Sequence, residues 1–331
     1  MTNSESAELR LSEAASPLRG QRVLVTGGAG FIGSHLTRQL VRQGVSVRVF
    51  DNFSTGFERN LEPVRNDIEI VRGDICDAEA TAAAMRNVHT VFHQAALASV
   101  PRSIADPLRS HAHCTTGTVN VLRAAEQAGV KRVVFASSSS VYGDQPYMSK
   151  RENDLPAPLS PYAAAKLACE GYCQAFHASY GLETVMLRYF NVFGPRQDPH
   201  GDYAAVIPRF VTRLLQGEPL IVFGDGHQSR DFTYIDNVVL ANLLAATVPG
   251  IGGQWFNVAN GGSTSLLELI RMIEHALERK GTVEHQPPRR GDVRHSLADI
   301  TLAQTRLGYE PLVTVGDGIV RTARSFAEVL V

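Results

Sequence analysis

The sequence has little of what marks a secreted, membrane-spanning or nucleic-acid-binding protein. Its 331 residues include only four cysteines, at positions 76, 114, 169 and 173, and their spacing matches no zinc motif. The longest apolar runs, such as residues 238–246, are far too short to span a bilayer. The net charge is -1 with acids and bases interspersed, so we expect no basic surface for nucleic acid or membranes. These absences favour a cytoplasmic protein with reduced thiols.

The N-terminal segment also lacks a targeting signal. Its first 20 residues are polar and mixed in charge, without the apolar core of a signal peptide. We therefore predict a flexible leader over residues 1–20. Hydrophobic residues make up 44% of the chain, which is enough to bury the core of one large domain or two closely associated ones.

Apolar, β-branched runs alternate with helical patterns over the first part of the chain, and this alternation is typical of a parallel sheet covered on both faces. We predict the α/β class, with a Rossmann-type doubly wound sheet in residues 21–193 to which residues 231–260 return. Proline and glycine become denser after residue 194, which indicates a smaller C-terminal α/β domain over residues 194–331. The predicted strands are 22–28, 45–51, 68–74, 90–96, 132–139 and 183–193. The predicted helices are 34–44, 78–86, 116–127, 162–180, 266–280 and 300–307.

The stretch GGAGFIGSH follows the first predicted strand and begins the first helix of this unit, with glycines at Gly27, Gly30 and Gly33. Such glycines let a pyrophosphate approach the N–H groups of a helix N-terminus. Asp51 ends the next strand, where its carboxylate would accept the adenosine ribose hydroxyls and repel a 2′-phosphate, so NAD is favoured over NADP. Asp74 also follows a strand; it is either a ligand of the adenine amine or a helix N-cap.

A second motif combines a run of serines, ASSSSVYGD at residues 136–144, with Tyr162 and Lys166 in SPYAAAK. The tyrosine and lysine are four residues apart on a predicted helix and therefore share one face. An ammonium beside a phenol lowers the pKa of the phenol, so Tyr162 becomes a usable base near neutral pH. A serine hydroxyl could bind the same substrate oxygen, and the set would then interconvert an alcohol and a ketone while NAD takes the hydride.

These motifs resemble those of the extended short-chain dehydrogenase/reductases that act on nucleotide sugars. The resemblance runs from about residue 22 to about residue 312 and is closest to the bacterial UDP-N-acetylglucosamine 4-epimerases, a branch of the UDP-hexose 4-epimerases. Besides the glycines and the tyrosine–lysine pair, it rests on AALASVPRS (95–103), SSSSVYGD (137–144), LSPYAAAK (159–166), LRYFNVFGPRQDP (187–199), AAVIPRF (204–210), GDGHQSRDFTYIDN (224–237) and RRGDVRHSLAD (289–299).

The resemblance implies a role for each matching residue. The implied catalytic residues are Ser138, Ser139, Tyr162 and Lys166. The implied NAD-binding residues are Gly27, Gly30, Phe31, Ile32, Gly33, Asp51, Asn52, Asp74, Ile75, Gln94, Ala95, Ala96, Tyr162, Lys166 and Tyr189. The implied UDP-sugar-binding residues, which would make residues 194–331 the UDP-sugar domain, are Ser99, Ser138, Asn191, Arg196, Val206, Arg230, Arg289, Asp292 and Ser296. No metal site is implied.

The serine run decides between the reactions of this family. Related 4,6-dehydratases carry an Asp–Glu pair just before VYG, and related UDP-glucuronate decarboxylases carry a Glu there. This chain has Ser139 and Ser140 instead, so the site is expected only to oxidise C4 of the sugar and to reduce it again, which is epimerisation. A dehydratase or decarboxylase with an unusual acid, a net ketose reductase and an NAD-binding protein without activity are the alternatives.

The sugar is less determined than the reaction. Ser296 aligns with a position where a bulky aromatic residue excludes N-acetylated sugars, so its small side chain admits UDP-N-acetylglucosamine. UDP-glucuronate and UDP-glucose remain alternatives. Arg196 could bind a glucuronate carboxylate, but Asp198 stands where the UDP-glucuronate 4-epimerases carry a further arginine and would repel it if it points inward. The helices at residues 116–127 and 162–180 correspond to the dimer interface of the family, so a homodimer is expected.

Overall fold

The structure is a computed structural model that describes residues 3–145, 147, 149–199, 205–288 and 294–330. Its centre is the parallel sheet that the sequence predicted. The sheet has seven strands, in the order β3-β2-β1-β4-β5-β6-β11. The strands are β1 Arg22–Thr26, β2 Ser46–Asp51, β3 Ile68–Arg72, β4 Thr90–His93, β5 Arg132–Ser138, β6 Glu183–Tyr189, β7 Val192–Phe193, β8 Leu220–Phe223, β9 Ser229–Arg230, β10 Thr233–Tyr234, β11 Gln254–Val258, β12 Thr264–Ser265, β13 Val283–Gln286 and β14 His295–Ser296.

Helices cover both faces of this sheet. They are α1 Asn3–Ala15, α2 Phe31–Arg42, α3 Ala78–Ala84, α4 Val100–Ala105, α5 Pro107–His111, α6 Gly117–Gln127, α7 Pro161–Tyr180, α8 Val206–Gln216, α9 Ile235–Thr247, α10 Leu266–Leu277, α11 Thr301–Leu307 and α12 Val315–Leu330. A π-helical turn, Ala112–Thr116, joins α5 to α6. None of the described helices is long and apolar enough to cross a membrane.

Alternate residues of the central strands build the core on the two faces. In β1, Val23 and Val25 pack with α2 and α9, whereas Leu24 points to the other face, toward α6 and α7. Side chains of a strand alternate in this way because successive Cβ atoms point to opposite faces. A sheet buried on both faces needs apolar residues at every position, which is why β1 reads as a continuous apolar run.

The N-terminal segment differs from its prediction. Instead of a flexible leader, residues 3–15 form α1, which packs on α9 and buries Leu11, Ala14 and Ala15. Arg10 pairs with Glu310 at 2.7 Å, and the Glu8 carboxylate accepts from Gln43 at 3.1 Å. The composition of the segment is mostly polar and does not indicate a helix. The helix is stabilised mainly by its packing against α9.

The predicted strand over residues 183–193 is divided in two. The long strand β6 ends at Tyr189, and the short β7 begins at Val192 and pairs with β10 outside the main sheet. Asn191, between them, has a φ of 34°. A residue in this left-handed region turns the chain away from a ladder, so β6 cannot continue.

The chain leaves the main sheet after β6 and returns to it through α9 and β11. The excursions form smaller units, namely the pair β8–β13, the three-stranded sheet β12-β9-β14, and α8, α10 and α12 packed together. They carry Arg230 and Ser296 to the carboxyl ends of the parallel strands, where both line the cleft described below. The division of the chain into two domains stays a prediction.

Candidate active site

One large cleft, of ≈ 1010 Å³, lies along the carboxyl ends of the parallel strands. In doubly wound sheets such a cleft lies where strand order reverses, which here is between β1 and β4. The predicted residues that line it are Gly27, Gly30, Phe31, Ile32, Gly33, Asp51, Asn52, Ile75, Gln94, Ala95, Ala96, Ser99, Ser138, Ser139, Tyr162, Tyr189, Asn191, Arg230 and Ser296. The structure thus brings together residues that are far apart in the sequence, from Gly27 just after β1 to Ser296 on β14.

The glycine turn at one end of the cleft accepts no side chains. A Cβ on Gly33 would lie 2.1 Å from the carbonyl oxygen of Gly27, and a Cβ on Gly27, whose φ is +68°, would lie 2.7 Å from the nitrogen of Ala95. Gly30 is the N-cap of α2 and makes no side-chain cap, so the N–H groups of the first turn are left for a ligand. This cradle fits a pyrophosphate.

Asp51 is fixed beside the glycine turn. Its two carboxylate oxygens accept from the backbone N–H groups of Ala29 at 2.9 Å and Phe53 at 2.8 Å. Burial raises the pKa of Asp51, and these two hydrogen bonds oppose that shift. Each carboxylate oxygen has a second lone pair, so Asp51 can still accept ribose hydroxyls.

Asp74 lies at the far end of the dinucleotide half of the cleft. It is not on the cleft surface but accepts from Asn52 Nδ2 at 2.8 Å, and its neighbours Ile75 and Asn52 line the cleft. Its Oδ2 is 3.6 Å from Nε2 of His113, which also lines the cleft. The helix N-cap at this loop is Asp77 rather than Asp74, so the N-cap alternative for Asp74 is wrong.

Tyr162 and Ser138 line the cleft, and Lys166 lies next to Tyr162 without lining it. Ser160 caps α7 by accepting from Ala163 N at 3.2 Å, which fixes Tyr162 and Lys166 in the first two turns of the helix. The Lys166 ammonium is buried, donates to the carbonyl of Ala136 at 2.7 Å and lies 5.9 Å from the Tyr162 ring. Tyr162 therefore has a fixed cation beside its phenol.

The electrostatics of Tyr162 include the predicted effect of Lys166 and a larger effect that opposes it. Burial raises the pKa of its phenol, and the charge of Lys166 and a hydrogen bond with Ser138 only partly offset that rise. The Ser138 oxygen already accepts two hydrogen bonds from Ser140, one from its backbone N–H at 3.2 Å and one from its hydroxyl at 2.9 Å. The hydroxyl proton of Ser138 is therefore left to bind Tyr162 or a substrate. Lys166 alone does not bring the pKa of Tyr162 below its usual value, because the free-energy cost of removing the phenolate from water exceeds its attraction to one ammonium.

Acids are scarce around the serine run. Ser137 does donate to Glu170 at 2.6 Å, but this carboxylate is buried and held by both arms of Arg188, at 2.9 and 2.7 Å. Glu170 therefore has a structural partner and faces away from the cleft. Among the described residues that line the cleft, the carboxylates are those of Asp51 and Asp198.

The predicted sugar end is built from three segments. Arg230 and Ser296 are paired in register on β9 and β14, and Asn191 approaches them by donating to the carbonyl of Asp231 at 3.3 Å. Val206 begins α8 just beyond Ala205, which lines the cleft. Arg289 and Asp292 lie outside the described residues.

Arg196 lies elsewhere than predicted. Its backbone has a φ of 66°, and its side chain lies off the cleft among the charges of Arg38, Arg42 and Asp236. Burial, followed by the two arginines, lowers the pKa of Arg196 to about 10. The Arg196 side chain lies near the α2 residues Arg38 and Arg42, so a sugar contact is not supported.

Comparison with known proteins decides the family. The sequence pattern of the NAD dependent epimerase/dehydratase family matches residues 23–259, more than half of the chain. The chain belongs to this family. The resemblance drawn from the motifs, the fold class, the cofactor NAD and an enzyme of the UDP-sugar 4-epimerase type are confirmed by this match and by the relatives below.

Several relatives that match nearly the whole chain are named as UDP-sugar 4-epimerases, and one that is 33% identical, from Bacillus cytotoxicus, is named as a UDP-N-acetyl-alpha-D-glucosaminuronate decarboxylase. The UDP-glucose 4-epimerase of Mycolicibacterium smegmatis is 42% identical over 92% of this chain and 98% of its own length. The structure of a UDP-N-acetylglucosamine 4-epimerase from Methanobrevibacter ruminantium, in complex with UDP-N-acetylmuramic acid, has a TM-score of 0.90 and 40% identity, over 94% of this chain and all of that chain. A Thermus thermophilus UDP-glucose 4-epimerase solved with NAD has a TM-score of 0.87 and 38% identity over the same shares.

Within this epimerase/dehydratase framework, the structure adds residues that the sequence did not single out. His113, Arg102 and Gln197 also line the cleft. Arg102 and Gln197 lie within the motifs AALASVPRS and LRYFNVFGPRQDP but were given no role there, and His113 lies outside every motif. Gln94 was predicted, but not its partners: it donates to Tyr189 at 3.2 Å and to Asn242 of α9 at 3.0 Å, which ties the cleft floor to α9.

Proposed function

We propose that this protein is an NAD-dependent UDP-sugar 4-epimerase that inverts C4 through a transient 4-keto sugar. The observation that carries the proposal is that Tyr162 and Ser138 line the same cleft as the dinucleotide cradle and the sugar end, with the Lys166 ammonium buried beside Tyr162. A carboxylate that could perform a second proton transfer is missing from the described part of the serine run, residues 137–140. Dehydration and decarboxylation both need such a transfer, so epimerisation is favoured.

Each residue of the centre has a distinct task. The Tyr162 phenolate accepts the proton of the sugar 4-OH, and the Ser138 hydroxyl donates a hydrogen bond to the same oxygen. When bound, NAD⁺ would add a positive charge, accept the hydride of C4 and give that hydride back to C4 of the keto sugar. Lys166 supplies the first positive charge, which favours the phenolate that a buried tyrosine otherwise resists forming.

Inversion requires the flat keto sugar to present its other face. The cleft of ≈ 1010 Å³ extends from the glycine turn to Arg230 and Ser296, so the dinucleotide cradle and the sugar end share one cavity. Arg230, on the short strand β9, is placed to hold the diphosphate while the sugar turns about its link. Arg289 and Asp292 would complete this grip, but they lie outside the described residues. Tyr162 then returns its proton to O4 on the new face.

UDP-N-acetylglucosamine is the best-supported substrate. Ser296 lines the cleft beside Arg230 and leaves room for an N-acetyl group. Asp198 also lines the cleft, and its charge disfavours the carboxylate of UDP-glucuronate. The relative of known structure from Methanobrevibacter ruminantium is named for this sugar.

UDP-glucose is the second candidate. Nothing about a serine at position 296 excludes a sugar that lacks the acetyl group. Two of the relatives above, from Mycolicibacterium and Thermus, are named for UDP-glucose. UDP-N-acetylglucosamine needs space for its acetyl group beside Ser296, whereas UDP-glucose does not.

The test is the substitution Ser296→Tyr, because an aromatic ring would fill the space of the acetyl group. We expect it to reduce turnover of UDP-N-acetylglucosamine at least tenfold while UDP-glucose is still converted. Ser296→Ala is the matched control and should convert both. Equal conversion of the acetylated sugar by wild type and Ser296→Tyr would contradict the assignment of this gate.

We also propose a homodimer formed through α7 and the neighbouring helices. The outer face of α7 exposes the small residues Ala164, Ala168 and Ala175, which allow two helices to approach closely. Beside it, Leu108 is 82% exposed and Ile104 is 64% exposed. Large apolar side chains grouped with a face of small residues fit a second copy of this chain.

A further inference from the structure

We propose that Asp74, Cys76 and His113 form a site for a divalent cation of the zinc class at the adenine end of the cleft. One carboxylate oxygen, the thiol sulfur and one ring nitrogen all lie within 4.8 Å of one another. Asp74 and Cys76 follow β3, whereas His113 comes from the π-helical turn before α6. The fold therefore brings three different kinds of ligand together from two separate segments.

The orientation of His113 is already that of a metal ligand. Its Nδ1 is 3.0 Å from the carbonyl oxygen of Arg109, and because a carbonyl can only accept, Nδ1 carries the proton. In the neutral ring Nε2 then presents a lone pair, and Nε2 is the atom that faces Asp74. Metal-bound histidines are usually held by such a hydrogen bond from the other ring nitrogen to a backbone carbonyl or a carboxylate.

Asp74 is oriented by groups on its other sides. Its Oδ1 accepts from the backbone N–H of Cys76 at 2.8 Å, and its Oδ2 accepts from Asn52 at 2.8 Å. Each oxygen retains a second lone pair. These hydrogen bonds fix the position of the Asp74 carboxylate and still leave lone pairs on it that can bind a metal ion.

The distances suit zinc. Bonds of about 2.0–2.3 Å in tetrahedral geometry put two ligand atoms about 3.3–3.7 Å apart. Oδ2 of Asp74 and Nε2 of His113 are 3.6 Å apart as they stand. The remaining separations, at most 4.8 Å, close by a rotation of the Cys76 side chain, whose sulfur now contacts the carbonyl of Ala112 at 3.4 Å.

The ligand set also selects the class of cation. A thiolate and an imidazole favour zinc and similar soft or borderline metals over magnesium and calcium, which prefer oxygen. Three protein ligands leave a fourth position for water, as in zinc sites that remain open. Both His113 and Cys76 are only partly buried, and His113 lines the cleft, so a cation can enter from it.

Occupation of this site has a consequence for the cofactor, which rests on the proposed function. Asp74 is predicted to bind the adenine amine of NAD, and the same carboxylate cannot hold the amine and a cation in one position. Zinc and NAD are therefore expected to exclude each other, so that zinc releases NAD from the enzyme.

The experiment titrates Co²⁺, as a spectroscopic substitute for Zn²⁺, into the full-length protein, both as purified and after removal of NAD. We expect a thiolate-to-cobalt absorption band that saturates at one Co²⁺ per chain and is displaced by Zn²⁺. NAD released into the filtrate is measured in parallel. Neither readout depends on epimerase activity, so failure of the proposed function would leave this test intact.

The variants assign the ligands. Cys76→Ser should abolish the band, and His113→Asn should weaken Co²⁺ binding more than tenfold, whereas the exposed neighbour His111→Asn should bind like wild type. A band that appears only in NAD-free protein supports both the site and the exclusion. Absence of the band in both preparations, or a band that survives Cys76→Ser and His113→Asn, would overturn the proposal.

Discussion

At the scale of single residues, burial is the dominant influence on the ionisable groups below the cleft. His93, at the end of β4, is 1% exposed and lies between two threonine hydroxyls. Thr118 donates to the carbonyl of Cys114, so it accepts from Nε2 of His93, while Nδ1 faces Thr26 at 2.7 Å. The neutral imidazole is fully paired there. Burial, together with the charge of Lys166, lowers the pKa of His93 to about 3.

The substitution His93→Gln should flatten the pH dependence of stability. Because the unfolded chain binds a proton at this residue near pH 6.5 and the native state only near pH 3, the free energy of unfolding falls as the pH falls between these values. The loss is about 1.4 kcal/mol per pH unit for one proton. Urea unfolding between about pH 6.0 and about pH 4.5 should therefore give a slope smaller by about that amount in His93→Gln than in wild type. Equal slopes would show that His93 is not neutral in the native state.

Some residue positions could be predicted from sequence and others could not. Tyr162 and Lys166 are set by helical spacing, and the glycines by the lack of room for a Cβ, so local patterns suffice for both. Arg196 could not be placed, because its direction follows from a left-handed backbone in an irregular loop. Lys166 lowers the pKa of Tyr162 as predicted, but the larger opposing effect of burial was missed, since the spacing of a motif carries no information about burial.

At the scale of elements, α1 shows how docking creates a helix that composition does not indicate. Leu11 is 6% exposed in the groove against α9, whereas Leu9, on the same helix, is 50% exposed. The substitution Leu11→Ala should weaken the docking of α1 by about 2 kcal/mol, and so speed hydrogen exchange of its amides roughly 30-fold.

Leu9→Ala is the matched control, and its exchange rates should stay close to those of wild type because an exposed leucine loses little contact. If both substitutions, or neither, accelerated exchange in α1, the helix would not be held by the face that contains Leu11.

The outer face of α7 tests the proposed dimer. The substitution Ala168→Arg would place a charged side chain on the face of small residues and should convert the dimer to a monomer. Light scattering should give twice the chain mass of 36.0 kDa for wild type and the single mass for Ala168→Arg. Gln304→Arg, on the exposed side of α11, is the control and should remain dimeric. A monomeric wild type would refute the proposal.

At the scale of the whole molecule, the doubly wound sheet could be predicted from the sequence. The arrangement of the short strands at the sugar end of the cleft could be predicted only in part. The strands β1 to β6 are apolar runs separated by helical patterns, and this periodicity is written locally in the sequence. Outside the main sheet, β7, β9, β10, β12 and β14 contain only two residues each, which is too short to give a periodic signal. Ser296 and Arg230 were found through motifs, while their pairing across β9 and β14 depends on long-range packing.

The central claim is that one cleft both retains NAD and inverts C4 of a UDP-sugar. Its most direct test is proton NMR of the purified enzyme with UDP-N-acetylglucosamine, UDP-glucose and UDP-glucuronate in separate tubes, without added cofactor. We expect new galacto-configured anomeric signals with UDP-N-acetylglucosamine, and a rate at least about 100-fold lower for Tyr162→Phe, which lacks the proton-transferring oxygen. Unchanged spectra for all three sugars, also after NAD is added, or near-normal turnover by Tyr162→Phe, would contradict the account.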